Sequence, residues 1–175
     1  KYSNAAIAVV GAVLEKSLDQ SHARRVRSSI LDPLEMNDSS FLLTDDVRKK
    51  LASGWMRTEH RPRFEAPEFL LGTGPAGNMY SSVSDLAKFL QCMFDEGATK
   101  DGQVVSPQTY RTMTTPVKNA EGEDEGFGIG FHVQDLDGES KIGHGGAVYG
   151  FSTQLEALPG RKLGVAAVAS LDGSN

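Results

Sequence analysis

The first half of the chain has the hydrophobic period of helices. Ala5 to Leu18 carries Ala, Val, Ile and Leu on all sides, which predicts a buried helix with the Asn4 side chain as its cap. A second helix is predicted after Ser21, whose hydroxyl can cap it. Pro33 disfavours helical structure at the residue before it, so this second helix should end there.

The helix with the strongest sequence signal begins after Ser82. Ser82 and Asp85 have the spacing of a capping box, in which each polar side chain binds the backbone N–H of the other residue. An apolar stripe follows, made of Leu86, Phe89, Leu90, Met93 and Phe94. Gly97 suits the C-terminal stop, and Ser106-Pro107 is typical of the start of a further short helix.

In the last third of the chain the hydrophobic period becomes that of strands. Strands are predicted at Phe127–Val133, Phe151–Leu158 and Leu163–Leu171. Turn residues separate them at positions 135–138 and 159–162. Residues 143–151 contain four glycines. Glycines between strands predict an interruption of the sheet, where another backbone or a ligand approaches closely.

Together these elements predict an α+β fold in one unit. Residues 1–118 are predicted to be mainly helical, and residues 119–175 to form antiparallel strands. Residues 37–71 show no regular pattern. A length of 175 residues is enough to bury one core and does not require a second domain.

Composition and charge exclude several classes of protein. With 39% hydrophobic and 23% charged residues the chain is ordinary globular material. No apolar run reaches the roughly 20 residues of a membrane-spanning helix. The formal net charge of -5 argues against nucleic acid as a partner. The acidic residues 121–125 are predicted to form a solvated loop, and the single cysteine, Cys92, is predicted to be a core or interface thiol.

Motifs for metals and cofactors are absent or incomplete. The four histidines show neither HxH nor HExxH spacing, so no zinc site is predicted. Residues 72–77 match G-x-G-x-x-G, but no βαβ unit follows, so a structural loop is predicted there and not a dinucleotide site. Residues 150–154 lack the closing glycine of a G-x-S-x-G nucleophile elbow. Neither a metal nor a cofactor is predicted.

Five short motifs are spread over nearly the whole chain. They are Tyr2-Ser3-Asn4, Asp32-Pro33-Leu34-Glu35-Met36, Pro75 to Ser82 followed by Asp85-Leu86, Phe127-Gly128-Ile129-Gly130-Phe131, and His144-Gly145-Gly146 with Gly150-Phe151. In this order they resemble the Y-x-N, P-L-G-M, central-helix, Y-G-L-G-W and H-x-G motifs of the serine β-lactamase-related family. That family includes class C β-lactamases, D-alanyl-D-alanine carboxypeptidases and their esterase relatives.

The resemblance implies a β-lactamase/transpeptidase-like fold and acyl transfer through a serine in an S-x-x-K motif. Tyr2 would exchange a proton with that serine and with the leaving group. Asn4, besides being a helix-cap candidate, would bind the amide of the substrate. His144 takes the place of the K-T-G lysine, as a polar donor that is cationic only part of the time near pH 7.

The same resemblance assigns the glycine-rich residues to substrate binding. Gly145 and Gly146 lack side chains, so an extended substrate could lie along the strand edge. The backbone N–H of Ala147 would be one of two oxyanion-hole donors, the other belonging to the serine. The implied partner is a small ester, amide or peptide substrate.

The sequence departs from the family pattern in two places. No S-x-x-K occurs in these residues. In the family the nucleophile lies upstream of Y-x-N, and relatives continue into a helix beyond the last strand, so the fold is expected to be incomplete at both ends. Glu35 replaces the glycine of P-L-G-M and would be strained if the backbone there requires φ > 0.

Two hypotheses of different kinds are compatible with these observations. In the first, the chain is the larger C-terminal part of a serine hydrolase of esterase, peptidase or β-lactamase type. An upstream segment or a companion chain would then supply S-x-x-K. In the second, the chain is a non-catalytic binding or scaffold module that kept the cleft and lost the serine.

Overall fold

The fold is that of a computed structural model, which describes residues 2–59, 61–68 and 70–171. Its α-helices are α1 (Asn4–Leu18), α2 (His22–Val26), α3 (Asp45–Lys50), α4 (Val83–Phe94) and α5 (Pro107–Thr114). Its strands are β1 (Trp55–Thr58), β2 (Arg61–Glu65), β3 (Ala98–Thr99), β4 (Gly102–Gln103), β5 (His132–Leu136), β6 (Glu139–Val148), β7 (Phe151–Leu158) and β8 (Leu163–Ala169). A π-helical turn, Arg27–Leu31, extends α2. Within these described ranges no helix is long and apolar enough to cross a membrane.

The main sheet is antiparallel, with the strand order β5-β6-β7-β8. Asp137-Gly138 joins β5 to β6, and its φ angles of 54° and 84° are those of a type I′ turn. Tyr149-Gly150 joins β6 to β7, and a 3₁₀ turn at Pro159–Arg161 lies between β7 and β8. The α+β fold and the strands predicted from Phe151 and from Leu163 are therefore confirmed.

The first predicted strand begins later than the sequence indicates. A strand is predicted from Phe127, whereas β5 begins at His132. The preceding residues form a tight turn, because the Gly128 N–H donates to the Phe131 carbonyl at 2.9 Å. Gly130 has a φ of 82°, a left-handed conformation that glycine adopts without steric cost. This local closure overrides the strand propensity of the aromatic and branched residues around it.

The glycine-rich residues do not interrupt the sheet, contrary to the prediction. β6 is continuous to Val148, and each residue from Ile142 onward is paired with β7. The glycines instead allow close approach by side chains of the neighbouring strand. A Cβ on Gly145 would lie 2.6 Å from Gln154 Oε1, and one on Gly146 would lie 2.9 Å from Thr153 Oγ1.

α1 forms where it is predicted, but its cap and its burial differ from the prediction. Ser3 is the N-cap and accepts a hydrogen bond from the Ala6 N–H at 3.2 Å, while Asn4 is the first helical residue. Gly11 is buried against Pro75. Apolar side chains elsewhere on the helix are exposed, namely Ile7, Val9, Val10, Val13, Leu14 and Leu18. A helix that is apolar on all sides does not itself reveal which side a neighbour covers.

The other predicted helices are confirmed. Ser21, Ser82 and Ser106 cap α2, α4 and α5, each accepting a hydrogen bond from the N–H three residues later. α4 ends at Phe94, and Gly97 follows with a φ of 89°. These elements depend on hydrogen bonds within a few residues, so the sequence is sufficient to predict them.

A hairpin of β1 and β2 lies in the region for which the sequence shows no pattern. The pairing register shifts between Met56 and Thr58, and Pro62 lies within β2. Both features break the alternation by which strands are recognised. The Trp55 N–H donates to the carbonyl oxygens of Gly150 and Ser170 at 3.2 and 3.1 Å, which joins the hairpin to the end of the main sheet.

One face of the main sheet packs against α4. The buried hydrophobic residues are Leu31, Leu34, Met36, Leu90, Cys92, Met93, Tyr110, Phe131, Val133, Ile142 and Ala157. Gly164 on β8 permits this close contact, since a Cβ there would lie 3.0 Å from the Phe94 ring and 3.1 Å from a Leu90 methyl group. The prediction of Cys92 as a core thiol is confirmed.

A buried carboxylate ties a loop to α4. Asp85 is 1% exposed and accepts a hydrogen bond from the Lys88 ammonium group at 2.8 Å. It also accepts from the Asp38 N–H at 2.8 Å and from the Ser39 hydroxyl at 2.9 Å, in place of the Ser82 N–H that a full capping box would use. Burial raises the pKa of Asp85, but Lys88 and the other donors lower it further, so this pKa lies below its ordinary value of 3.8.

Glu35 adopts the backbone conformation that its place in the P-L-G-M motif indicates. Its φ is 54°, in the left-handed region, so a glutamate there is strained relative to glycine. The Glu35 carboxylate pairs with Lys100, and this hydrogen bond lowers the pKa of Glu35. Because both side chains are exposed, the ion pair offsets little of the strain.

We expect Asp85→Asn to lower the free energy of unfolding by about 2 kcal/mol at neutral pH, because a neutral amide forms weaker hydrogen bonds with the same donors. Asp46→Asn is the matched control. Asp46 also pairs with a lysine three residues later, Lys49, but its side chain is 89% exposed, so no measurable change is expected. Urea titrations of the full-length protein measure both differences.

The effect should depend on pH in one direction. Because the pKa of folded Asp85 is lowered, its ionisation stabilises the fold above the ordinary value of 3.8, and this stabilisation is lost as the pH falls through the folded pKa. The stability difference between wild type and Asp85→Asn should therefore shrink in acid. A difference that stays constant from neutral to acid pH would contradict this role of the charged carboxylate.

Candidate active site

Four aromatic rings meet at the point where β5 begins. The Tyr2 ring centroid lies 5.8 Å from that of His144 and 6.0 Å from that of Phe127. The His132 centroid lies 4.4 Å from that of Phe127 and 5.2 Å from that of His144. The rings thus form a closed cycle, called here the aromatic cluster. It joins the first described residue of the chain to the glycine-rich strand.

Tyr2 is held at the aromatic cluster by the start of α1. Ser3 caps the helix with its side chain and accepts the Ile7 N–H at its carbonyl at 3.3 Å. Further along, Gly11 lies so close to Pro75 that a Cβ there would overlap the proline ring. This contact fixes α1 against the 3₁₀ turn Gly74–Ala76. Tyr2 itself is 52% exposed.

The turn over residues 127–131 positions the other two rings of the aromatic cluster, those of Phe127 and His132. The Val117 N–H donates to the Phe127 carbonyl at 2.7 Å, and the Ile129 N–H donates to the Met113 carbonyl at 2.9 Å. A Cβ on Gly128 would overlap the Met113 carbonyl oxygen, so this position requires glycine. The turn is therefore held against the end of α5.

β6 has an unpaired edge beside the aromatic cluster. The pairing of β5 with β6 stops at His132 and Gly143, whereas β6 continues to Val148. Among the described residues, β6 therefore pairs only with β7 from His144 onward, and its other edge is open there. An edge of this kind presents backbone N–H and C=O groups to which an extended ligand can bind.

The register shows which backbone groups face that edge. The two-residue turn Tyr149-Gly150 makes Val148 and Phe151 a hydrogen-bonded pair, and such pairs recur at every second residue. Val148 thus bonds to β7, while Gly145 and Ala147 direct their N–H and C=O groups to the open edge. The Ala147 N–H therefore faces the open edge.

His144 contacts the backbone of this same edge. Its Nδ1 lies 2.6 Å from the Gly145 carbonyl oxygen. Because a carbonyl oxygen can only accept, Nδ1 carries the proton, and Nε2 of the neutral ring is then an acceptor. In its neutral form, His144 thus offers an acceptor at Nε2, and in its cationic form Nε2 is a donor.

The structure brings most of the predicted site residues together. Tyr2 and His144 share the aromatic cluster, and Gly145, Gly146 and Ala147 follow along the open edge of β6. Asn4 lies on the exposed first turn of α1, two residues from Tyr2. None of these roles requires a metal, and no three His, Cys, Asp or Glu side chains in the described ranges are grouped to hold one.

Sequence reasoning did not include His132 among the site residues. His132 immediately follows the F-G-I-G-F motif and forms an isolated bridge with Phe127. A histidine directly after a glycine-rich motif was the available signal. The motif itself ends at Phe131, so the resemblance to the family assigns no role to His132.

Comparison with known proteins gives a consistent result. A family model described as Beta-lactamase matches residues 1–175. The chain belongs to the beta-lactamase family. This family consists of serine hydrolases, and the β-lactamase/transpeptidase-like fold inferred from the motifs is confirmed.

Individual members of the beta-lactamase family match along almost the whole chain. A Homo sapiens protein named beta-lactamase-like 1 is 31% identical over 170 residues, which are 94% of this chain and 32% of that protein. Penicillin-binding protein 4 of Amycolatopsis lactamdurans is 26% identical over 167 residues, 91% of this chain and 44% of that protein. The chain thus spans less than half the length of these relatives.

A solved structure of the beta-lactamase family superposes well on this one. It is the octameric penicillin-binding protein homologue from Pyrococcus abyssi, with a TM-score of 0.82 and 27% identity. The superposition covers 99% of this chain and 39% of that chain. The two chains therefore share one fold over the region that superposes.

We expect Gly128→Ala to lower the free energy of unfolding by about 1–3 kcal/mol, because the added methyl group overlaps a backbone oxygen that cannot move aside easily. Gly160→Ala is the control, since a Cβ at Gly160 would meet nothing within 4 Å. Thermal and urea unfolding of the full-length variants measure the difference. Equal stability of the two variants would show that the turn is not held against Met113 in the way described.

Proposed function

We propose that this chain forms the substrate-facing wall of a serine hydrolase that cleaves an ester or amide by acyl transfer. The observation that carries the proposal is the position of Tyr2. Its ring lies 5.8 Å from His144, at the start of an open strand edge to which Ala147 directs its N–H. The proposal assigns proton exchange to the Tyr2 hydroxyl and stabilisation of the oxyanion to the Ala147 N–H, both next to this edge.

The proposed reaction has two steps. A serine of an S-x-x-K motif, supplied from outside these 175 residues, attacks the substrate carbonyl. The serine gives its proton to the Tyr2 oxygen while Tyr2 gives its own hydroxyl proton to Nε2 of His144, and the lysine assists this transfer. The carbonyl oxygen becomes negative and accepts the Ala147 N–H. The carbon–leaving-group bond breaks as Tyr2 gives a proton to the leaving group and takes one back from His144. Water then hydrolyses the acyl-serine by the same route.

In this proposal His144 exchanges a proton with Tyr2. A neutral imidazole with its proton on Nδ1 can accept the Tyr2 hydroxyl proton at Nε2, and the cationic form can bind a carboxylate or carbonyl of the substrate. Asn4 would donate to the substrate amide from the first turn of α1. Gly145 would pair with an extended substrate through its backbone.

The substrate class is a small ester, amide or peptide. Strand-like pairing along β6 requires a carbonyl or N–H one or two bonds from the scissile group. This favours acylated amines and short peptides, and it also permits esters that carry an amide. β-Lactams satisfy the same geometry, and labelling experiments can include them.

The first test is labelling of the full-length protein with a fluorophosphonate probe and with a fluorescent penicillin. Covalent labelling, located by mass spectrometry to a serine in an S-x-x-K sequence, supports the proposal. A full-length polypeptide whose intact mass and sequence include no S-x-x-K, and which neither probe labels, would instead favour a non-catalytic binding module.

Tyr2→Phe should lower kcat of the full-length, unlabelled enzyme by about 100-fold or more, because general acid–base catalysis is typically worth this much. Folding should be nearly unchanged, since the Tyr2 side chain is 52% exposed. Tyr110→Phe, at a buried tyrosine beside the opposite end of β6, is the control and should leave kcat unchanged. Equal kcat for Tyr2→Phe and wild type would reject the role of Tyr2.

A further inference from the structure

The orientation of the His144 ring decides whether this residue can accept a proton from Tyr2. With Nδ1 beside the Gly145 carbonyl oxygen, the proton of the neutral ring lies on Nδ1, and Nε2 is an acceptor. A half-turn of the ring about its Cβ–Cγ bond would move both nitrogens. The torsion of histidine about this bond is broad and roughly two-fold, so the side chain does not hold one orientation by itself.

The hydrogen bond to Gly145 does not hold the ring alone either. The Gly145 carbonyl belongs to the open edge of β6, and His144 is only half-buried. Water can therefore compete for both partners, and this lowers the net contribution of the hydrogen bond. The groups that pack on the His144 ring must then limit its rotation.

Two rings of the aromatic cluster contact His144, and the ring of His132 is the nearer. Its centroid lies 5.2 Å from that of His144, and the planes meet at 65°, which is an edge-to-face contact. The Tyr2 ring lies at 5.8 Å with its plane tilted by 39°. In an edge-to-face contact at this distance, neither ring can complete a half-turn unless the other moves aside.

His132 is anchored on both sides of its backbone. It forms the last pair of β5 with β6, opposite Gly143, and an isolated bridge with Phe127. The Phe127 ring also packs on it, with the centroids 4.4 Å apart, and the next residue, Val133, is buried. Tyr2, in contrast, precedes the first turn of α1 and is half exposed. Of the two rings that contact His144, that of His132 is therefore the fixed one.

We infer that His132 is a positioning residue, which holds neutral His144 with its proton on Nδ1 and keeps Nε2 available to Tyr2. The inference rests on the proposed function, in which Nε2 accepts the Tyr2 hydroxyl proton. His132 acts on the substrate only through His144. Its contribution is a flat ring at a fixed place, so phenylalanine should replace it and alanine should not.

The first test determines the tautomer of His144 directly. The full-length protein is labelled with ¹⁵N in its histidines and studied at mildly alkaline pH, where imidazoles are neutral. Protonated and unprotonated ring nitrogens differ widely in ¹⁵N chemical shift, and His144→Gln identifies the His144 signals by their loss. We expect a protonated Nδ1 in wild type and in His132→Phe. In His132→Ala the two shifts should move toward each other, because both tautomers become populated.

The second test measures hydrolysis of a p-nitrophenyl ester by the same full-length variants. His132→Ala should lower kcat by about tenfold or more with little change in KM, because a misplaced proton acceptor slows the reaction without weakening binding. His132→Phe should keep kcat near that of wild type. If His132 itself transferred a proton, phenylalanine would be as harmful as alanine, and that result would overturn the positioning role.

His22→Ala is the matched control. The His22 ring meets the Phe41 ring edge-to-face at 4.8 Å, so this variant removes the same kind of contact from a histidine outside the aromatic cluster. Neither the His144 shifts nor kcat should change. His132→Leu takes the place of the alanine variant if the latter does not fold. Leucine presents no flat ring to His144, so the effects expected for alanine apply to it as well.

The two measurements separate this inference from the proposed function. Unchanged His144 shifts in His132→Ala overturn the inference, whether or not kcat falls, and leave the proposed function intact. A wild type with the proton on Nε2 of His144 also overturns it. Shifts that change in His132→Ala and not in His132→Phe support the inference. If the wild type then hydrolyses no ester and is labelled by neither probe, only the proposed function is overturned.

Discussion

The site depends on the position at which β5 stops pairing with β6. Because the F-G-I-G-F residues form a turn, His132 is the last residue to pair, and β6 keeps one open edge from His144 to Val148. The alternation of hydrogen-bonded pairs then directs Gly145 and Ala147 to that edge. If residues 127–131 continued β5, the chain would occupy the position that a substrate would take.

The segments around this edge are held by polar side chains that replace strand pairing. Asn78 satisfies both backbone groups of Leu71, and the buried Asp85 carboxylate accepts hydrogen bonds from the backbone and hydroxyl of residues 38–39. Neither Leu71 nor residues 38–39 belong to a strand. Leu71 lies beside β6, and residues 38–39 lie beside α4. Side-chain acceptors can fix such loops because a buried backbone group left unpaired costs more than an ordinary hydrogen bond contributes.

Predictions from the sequence were most accurate where the deciding contacts are local. The caps at Ser82 and Ser106 and the turn at Asp137-Gly138 involve residues within four positions of each other. They were less accurate for α1, whose apolar residues indicated burial although many are exposed, and for β1 and β2, whose bulge and proline hide the alternation. Burial and register depend on neighbours that are distant in the chain.

The order of the five motifs in the sequence was sufficient to indicate the family, the fold class and the candidates Tyr2, Asn4 and His144. Only the folded chain decided that His132 joins Tyr2 and His144, that Ala147 faces an open edge, and that Leu71 stands opposite it. The reason is physical. A motif records residue types at short spacing, whereas the aromatic cluster joins residues more than 120 positions apart, which meet only after the sheet and α1 are in place.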